Sequence, residues 1–485
     1  MVFLYSQHWK YDLVFGDGHM INKNFLYSAL YQVFIYIVPL ITTPYISKVL
    51  GPNNIGIYSY SYSIVYYFML ITMLGINNYG PRNIARLSKD RNKMSEEFCS
   101  IYYLQLAVGI CMIFVYNFLV LIFFSTNRLI FILQNIFLIS AVIDISWFFF
   151  GIEKFQITLG RNLIIKLFSL IMIFIFVKKE NDLWKYTLIM SAGMLFSQVY
   201  LWFFIKKYID FKSIKLKKVL RHFKPCVLLF IPVVSYSIYK VMDKTMLGAI
   251  AGTLQLGYYE NAEKILNIPT SLVVALGTVT LPAMSKIIYE KNNYLKKIYE
   301  NFKISFCFIV PMTFGIMAVS KDFSILYFGE KFAESGEILF LLAPTLLLDA
   351  ISCVIRTCYL IPQNKEHIYI RATILGAMLN FFVNSLLIPE WGYFGACIGT
   401  IAAVLSMMAV HVFYIRKIIS IPKIFNILSP FLLKAVSMLI VIFLIGKVIQ
   451  RRELRVPLQI VFGVLSYIML NLKFLVTEFW RYKKE

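Results

Sequence analysis

Charge is scarce in this chain, and what there is leans one way. Only 15% of its 485 residues are Asp, Glu, Lys or Arg, and 48 Lys and Arg stand against 25 Asp and Glu. A soluble domain of this length would carry far more charge, so a soluble fold is excluded. The seven cysteines are scattered, mostly within apolar segments, with no CxxC or Cys/His ligand spacing. The five histidines form no cluster. Neither a disulfide framework nor a metal centre is therefore expected, and the cysteines read as small buried hydrophobes. No cofactor motif is present. The longest external break, roughly 321–335, holds neither paired carboxylates nor a Gly-rich phosphate loop, which leaves enzymatic readings such as a polymerase or glycosyltransferase without catalytic groups. A basic n-region followed by a continuous apolar core is also absent at the start, so no cleavable signal is expected.

What the chain does have is apolar bulk: 59% hydrophobic residues, 17% aromatic, and a mean hydropathy of +0.72. Apolar runs long enough to cross a bilayer recur along its whole length, which predicts an all-α polytopic membrane protein. Set against the polar breaks, the runs give about fourteen spans, among them 25–47, 55–76, 129–150, 163–177, 225–250 and 336–361. The net charge of +23 does not point to nucleic acid, because Lys and Arg gather in short breaks, mainly those after even-numbered spans. By the positive-inside rule those breaks and both termini are cytoplasmic.

Five segments follow. Residues 1–19 are polar and aromatic, unlike the rest, and are expected to be a disordered extension or an over-extended start, with Met20 opening the chain proper. Residues 20–205 form a first six-helix lobe and 225–423 a second. Between them, 206–224 is a basic cytoplasmic linker, expected to be solvated and lipid-facing, as is the basic amphipathic stretch 81–98. Residues 424–485 supply two further helices.

An internal repeat underlies the lobes. LGPNNIGIYSYSYSI (50–64) matches LGAIAGTLQLGYYENAEKI (247–265), pairing Gly56 with Gly257. Further pairs are Gly75 with Gly277 and Arg161 with Arg371. Six spans separate the copies, so the repeat is parallel. Pro39, Pro44 and Pro232 are expected to kink the first helix of each lobe.

The organising stretch is 232–265. Its helix carries Lys240, Asp243 and Lys244 at membrane depth, where each lipid-facing charge costs about 2.5–3.5 kcal/mol. Tyr236, Lys240, Asp243, Lys244 and Leu247 share one helical face. That face belongs against another helix or a water-filled cavity, and two cations to one anion favour an anionic guest. Similar polar stripes occur on the fourth span (Ser140, Asp144, Trp147, Gly151) and the tenth (Asp349, Ser352, Arg356, Tyr359).

The segments PLITTPYISKVLGPNNIGIYSYSYSIVYYF (39–68), LGINNYGPRNIA (74–85), DISWFFFGIEKF (144–155), YKVMDKTMLG (239–248) and LGYYENAEKI (256–265) together resemble the Wzx-type polysaccharide flippases. These belong to the multidrug/oligosaccharidyl-lipid/polysaccharide exporter superfamily, and the likeness runs from Asn22 to Arg416. The resemblance implies two six-helix lobes in a V around a cavity, plus two C-terminal helices, in a bacterial cytoplasmic membrane. Its implied cargo is an undecaprenyl-pyrophosphate-linked oligosaccharide moved from the inner to the outer leaflet, with polysaccharide polymerase machinery as a partner. On that basis Lys240, Lys244 and Arg356 would bind the pyrophosphate, and the SYSYS run (59–63) would offer rings and hydroxyls to sugars. Asp243, Asp144 and Asp349 would be cavity polar groups, the first two candidates for a coupling proton or sodium ion. A multidrug or cation antiporter of the same fold is the alternative.

Overall fold

A computed structural model describes the backbone of residues 18–484. The expectation for the N-terminal extension, including Trp9 and Phe15, lies outside the described residues, as do the side chains of Pro232 and Tyr236. Among the described residues there is no strand. The chain forms α1 (Gly18–Met73), α2 (Ile76–Leu87), α3 (Arg91–Phe123), α4 (Arg128–Val142), α5 (Ser146–Gly151), α6 (Phe155–Phe176), α7 (Leu183–Ile205), α8 (Leu216–Leu220) and α9 (Phe223–Ile250). Then follow α10 (Thr253–Lys286), α11 (Lys291–Phe328), α12 (Ala333–Leu342), α13 (Thr345–Ile355), α14 (Glu366–Trp391), α15 (Tyr393–Ile415), α16 (Ile421–Val448) and α17 (Arg452–Lys484).

Among the described residues, eleven stretches are long and apolar enough to cross a membrane, and a bent pair, Glu330–Leu342 with Thr345–Leu360, makes a twelfth. Of the fourteen expected spans, those at 25–47 and 55–76 fall on either side of the break at Gly51 within α1, and the one at 225–250 coincides with α9. The bent pair turns by 44° at Ala343–Pro344, where proline removes a ladder hydrogen bond.

Within α1 the break falls at Gly51 (φ 74°, ψ 171°), not at Pro39 or Pro44. Membrane helices tolerate an isolated proline. A glycine can enter the positive-φ region, and Pro52 disfavours helical geometry in the residue before it, so Gly51–Pro52 yields first.

The chain divides into two compact units, one reaching Gly257 and one beginning at Tyr258. The helix α9 therefore packs within the first unit. In lipid there is little hydrophobic gain from joining helices, so close packing and polar contacts hold them. One core of the first unit is aromatic: Trp147 is fully buried, stacked on Phe98 at 5.3 Å and lying under Gly80, where any Cβ would come within 2.4 Å of the indole. In the second unit Phe302, Phe306, Ile355 and Ala435 belong to one buried cluster.

The linker is not a free solvated strand. It runs along one face of α3, meeting residues spaced three to four apart. Arg91 grips Asp210 through two bonds of 3.0 and 2.9 Å, Ser95 Oγ accepts from Asp210 N, and Tyr103 donates to the Lys212 carbonyl. Lys218 pairs with Glu96 and Arg221 with Glu97. The exposed pairs contribute little. The buried end of the strap is His222, 1% exposed, with Nδ1 2.8 Å from the Tyr79 hydroxyl and Nε2 2.9 Å from Ser100 Oγ.

Arg221 Nε donates to His222 Nε2, so the imidazole proton sits on Nδ1 and faces Tyr79. Burial, helped by the Arg221 charge, lowers the His222 pKa to about 4, although Glu97 Oε1 lies 3.8 Å from Nδ1. The folded pKa is below the unfolded one, so this stability is present above about pH 6.5 and is lost as pH falls toward 4, by about 1.4 kcal/mol per unit. Melting in detergent at pH 7 and pH 5 should show a drop that His222→Gln flattens; an equal drop in both would exclude His222 as its source.

Candidate functional site

In the first unit the charged face of α9 is fixed by its seam with α1. Gly248 lets the Tyr60 ring approach so closely that a Cβ would lie 2.5 Å from it. Thr245 Oγ1 meets Ser63 Oγ at 3.2 Å and the Tyr67 hydroxyl at 3.3 Å. Beside this seam Asp243 is buried, Leu247 is fully buried, and Lys240 and Lys244 are half-buried. Of the expected stripe, Asp243 and Leu247 are thus buried in the first unit.

The SYSYS run is largely occupied with packing. Ser61 and Ser63 donate back to the carbonyls of Tyr58 and Tyr60, and Tyr60 lies edge-on to Phe131. What stays half-buried is a ladder of rings four residues apart, Tyr58, Tyr62 and Tyr66, each step 6.1 Å. A ring ladder of this kind can stack on the faces of a sugar.

Asp144 does not sit on a continuous fourth span. It lies in the break between α4 and α5, 4% exposed, and its Oδ1 accepts from Ser146 N at 2.8 Å and from Ser146 Oγ at 2.5 Å. Gln105 serves the carbonyls around the break. Its Nε2 donates to Ala141 O and Asp144 O at 2.9 Å and to Val142 O at 3.3 Å, and its Oε1 accepts from Trp147 Nε1. Trp202 Nε1 supplies Ile143 O.

In the second unit Asp349 is half-buried on α13 and Arg356 begins a π-helical turn, Arg356–Leu360. Such turns are frequent at functional sites. The guanidinium lies 5.1 Å over the Tyr369 ring and donates to Cys353 Sγ at 3.5 Å. Tyr369 stacks in turn on His411, which is 2% exposed. Tyr359 is buried and receives Lys365 Nζ at 2.9 Å. Asp349 and Arg356 thus belong to the second unit, while Lys240, Asp243, Lys244 and Asp144 belong to the first.

Three polar groups were not among the expected site residues. Arg161 is 5% exposed, and its Nη1 donates to Ser197 O and Gln198 Oε1. Lys166 is half-buried one turn further on, and His411 is the third. The span expected at 163–177 starts at Phe155, which carries Arg161 into the helix. A charge one turn before an apolar run was the available signal. Among the described residues no three His, Cys, Asp or Glu side chains converge as metal ligands. Among the side chains described around this part of the first unit, the cations Lys240, Lys244, Arg161 and Lys166 stand against the carboxylates Asp144 and Asp243. That excess is suited to holding an anion.

Sequence comparison places this geometry among known proteins. The profile of a polysaccharide biosynthesis protein family matches residues 21–288, and that of the lipid II flippase MurJ matches 163–470. A candidate O-antigen transporter of Shigella dysenteriae is 27% identical over 387 residues, covering 78% of this chain and 95% of that protein. The structure of the lipid II flippase MurJ in an inward closed conformation superposes with a TM-score of 0.74 at 17% identity, covering 95% of this chain and all of the other. An inward-facing multidrug-resistance transporter of the MATE family superposes at 0.57 with 15% identity, over 82% and 95% of the two chains. At these identities the structural likenesses establish the fold alone.

Proposed function

Because the chain belongs to the polysaccharide biosynthesis protein family and to the overlapping MurJ flippase family, as a Wzx-type member of the exporter superfamily, we propose that it flips lipid-linked oligosaccharides. The cargo we assign is an undecaprenyl-pyrophosphate-linked repeat unit, carried from the inner to the outer leaflet of a bacterial cytoplasmic membrane by alternating access. The chain acts as a transporter and not as an enzyme, and hands its cargo to polysaccharide polymerase machinery. The observation that carries this reading is the positive stripe of α9, where Lys240 and Lys244 flank a single buried Asp243. A pyrophosphate offers clustered negative oxygens to ammonium and guanidinium donors. Lys240, Lys244 and Arg356 are the cations we assign to it, and the Tyr58–Tyr62–Tyr66 ladder is assigned to its sugars. A drug or cation antiporter of the same fold would call for an acidic or apolar lining, which the stripe disfavours.

Leaflet transfer in liposomes tests this. A fluorescent polyprenyl-pyrophosphate oligosaccharide is scored for access to an external quencher. Lys240→Ala and Lys244→Ala are each expected to slow transfer about ten-fold or more, as expected for loss of a charge-assisted bond. Arg356→Ala should do the same. Transfer unchanged in all three would keep the flippase and discard its cations; no transfer by the wild type across several repeat units would favour the antiporter.

A further inference from the structure

The two C-terminal helices lie outside the internal repeat, and the function proposed above assigns them nothing. They nevertheless carry a cation where a membrane helix avoids one. Lys434 stands near the midpoint of the 28-residue α16. Facing lipid there, an ammonium is strongly disfavoured. Lys434 is half-buried and donates to Asn471 Oδ1 of α17 at 2.9 Å. Asn471 is fully buried, and its Nδ2 is spent on the Tyr467 carbonyl. This neutral amide positions the ammonium without neutralising it.

A second cation reaches the same place from α11. Lys303 Nζ lies 4.6 Å over the ring of Phe474, Phe474 meets Phe431 edge-on at 5.7 Å, and Lys434 Nζ lies 5.8 Å from Phe431. Two ammonium groups thus flank one aromatic pair across three helices. Among the described residues neither makes an ion pair. Leu433, Val436 and Leu472 beside them are exposed, so the approach is through apolar surroundings.

We propose that Lys303 and Lys434 form a site for the phosphate group of an anionic membrane lipid. Snorkelling of one lysine along its stem is ordinary. Here, however, Lys434 is fixed by a buried partner and a second cation converges on it, so the unmet charge calls for an anion. The surrounding apolar surface selects an anion that carries acyl or prenyl chains over free phosphate. The proposal is independent of the cargo assigned to α9.

Native mass spectrometry of the full chain in detergent would test it, with phosphatidylglycerol, phosphatidylcholine and inorganic phosphate as probes. Wild type should retain phosphatidylglycerol about ten-fold over phosphatidylcholine, a difference of about 1.4 kcal/mol. The double variant Lys303→Gln/Lys434→Gln should lose that preference. Lys434→Arg should keep it, and so should Lys423→Gln, which removes an exposed lysine of α16 elsewhere. A double variant that melts with the wild type yet still prefers phosphatidylglycerol overturns the site. Displacement of the lipid by millimolar inorganic phosphate overturns its assignment to lipid. If the double variant fails to fold, the single Gln variants decide: loss of the preference in either supports the site, and its retention in both overturns it.

Discussion

Alanine at Gly56 or at Gly257 is expected to abolish most folded protein, while alanine at Gly160 leaves the yield unchanged. A Cβ built on Gly56 falls 1.6 Å from the Thr253 carbonyl oxygen and 3.0 Å from Gly257 N. One on Gly257 falls 1.9 Å from the Pro52 carbonyl oxygen. These are backbone atoms, so no rotamer change relieves the clash, and the two segments must part. Thr253 Oγ1, which donates to Asn53 Oδ1 at 2.6 Å, would be lost with them. Overpacking against yielding side chains costs about 1–3 kcal/mol, and a backbone clash should reach the top of that range or exceed it. At Gly160 nothing lies within 4 Å, and the change should be neutral or slightly stabilising. Thermal unfolding followed by fluorescence-detected size exclusion would show this. A Gly257→Ala variant melting with the wild type would mean that the backbones do not touch as described.

The repeat made Gly56 and Gly257 equivalent in sequence, but similarity cannot say that equivalent positions meet. Other features divide along the same line between cost and contact. Lys240, Asp243 and Lys244 were legible because a mid-helix charge is expensive in lipid wherever it sits. The break in α1 was legible, because Gly51–Pro52 falls in the polar stretch between the spans expected at 25–47 and 55–76. The linker's basic character was plain in its composition. Its attachment was not, because Glu96 and Glu97 of α3 and Asp210 of the linker read as ordinary surface charges until the chain is laid along the helix. The π-turn Arg356–Leu360 does have a local signal, Pro362, which offers no N–H to the Cys358 carbonyl; that carbonyl accepts from the Tyr294 hydroxyl instead.

The break at Asp144 is the strongest case of tertiary control, and it carries the second large effect. The sequence ISAVIDISWFFF (139–150) holds neither glycine nor proline, so nothing local ends the helix at Val142. It ends there because Gln105 Nε2 donates to the carbonyls of Ala141, Val142 and Asp144, Trp202 takes that of Ile143, and Asp144 receives Ser146 N. Gln105→Leu is expected to cost about 3 kcal/mol or more, since it takes this partner from the buried Val142 and Asp144 carbonyls and from the Trp147 indole N–H, while the Ala141 carbonyl keeps Asp144 N. Trp202→Phe removes one bond and should cost about 1 kcal/mol. Asp144→Asn keeps an acceptor for Ser146, so it should fold and melt close to the wild type. That separates the two roles of the carboxylate. If Asp144 also carries the coupling proton or sodium ion, the Asn variant should still flip cargo down a cargo gradient yet no longer respond when the ion gradient is collapsed. An Asn variant that answers the ion gradient as the wild type does would leave Asp144 as the cap of a helix break and would move the coupling assignment to Asp243.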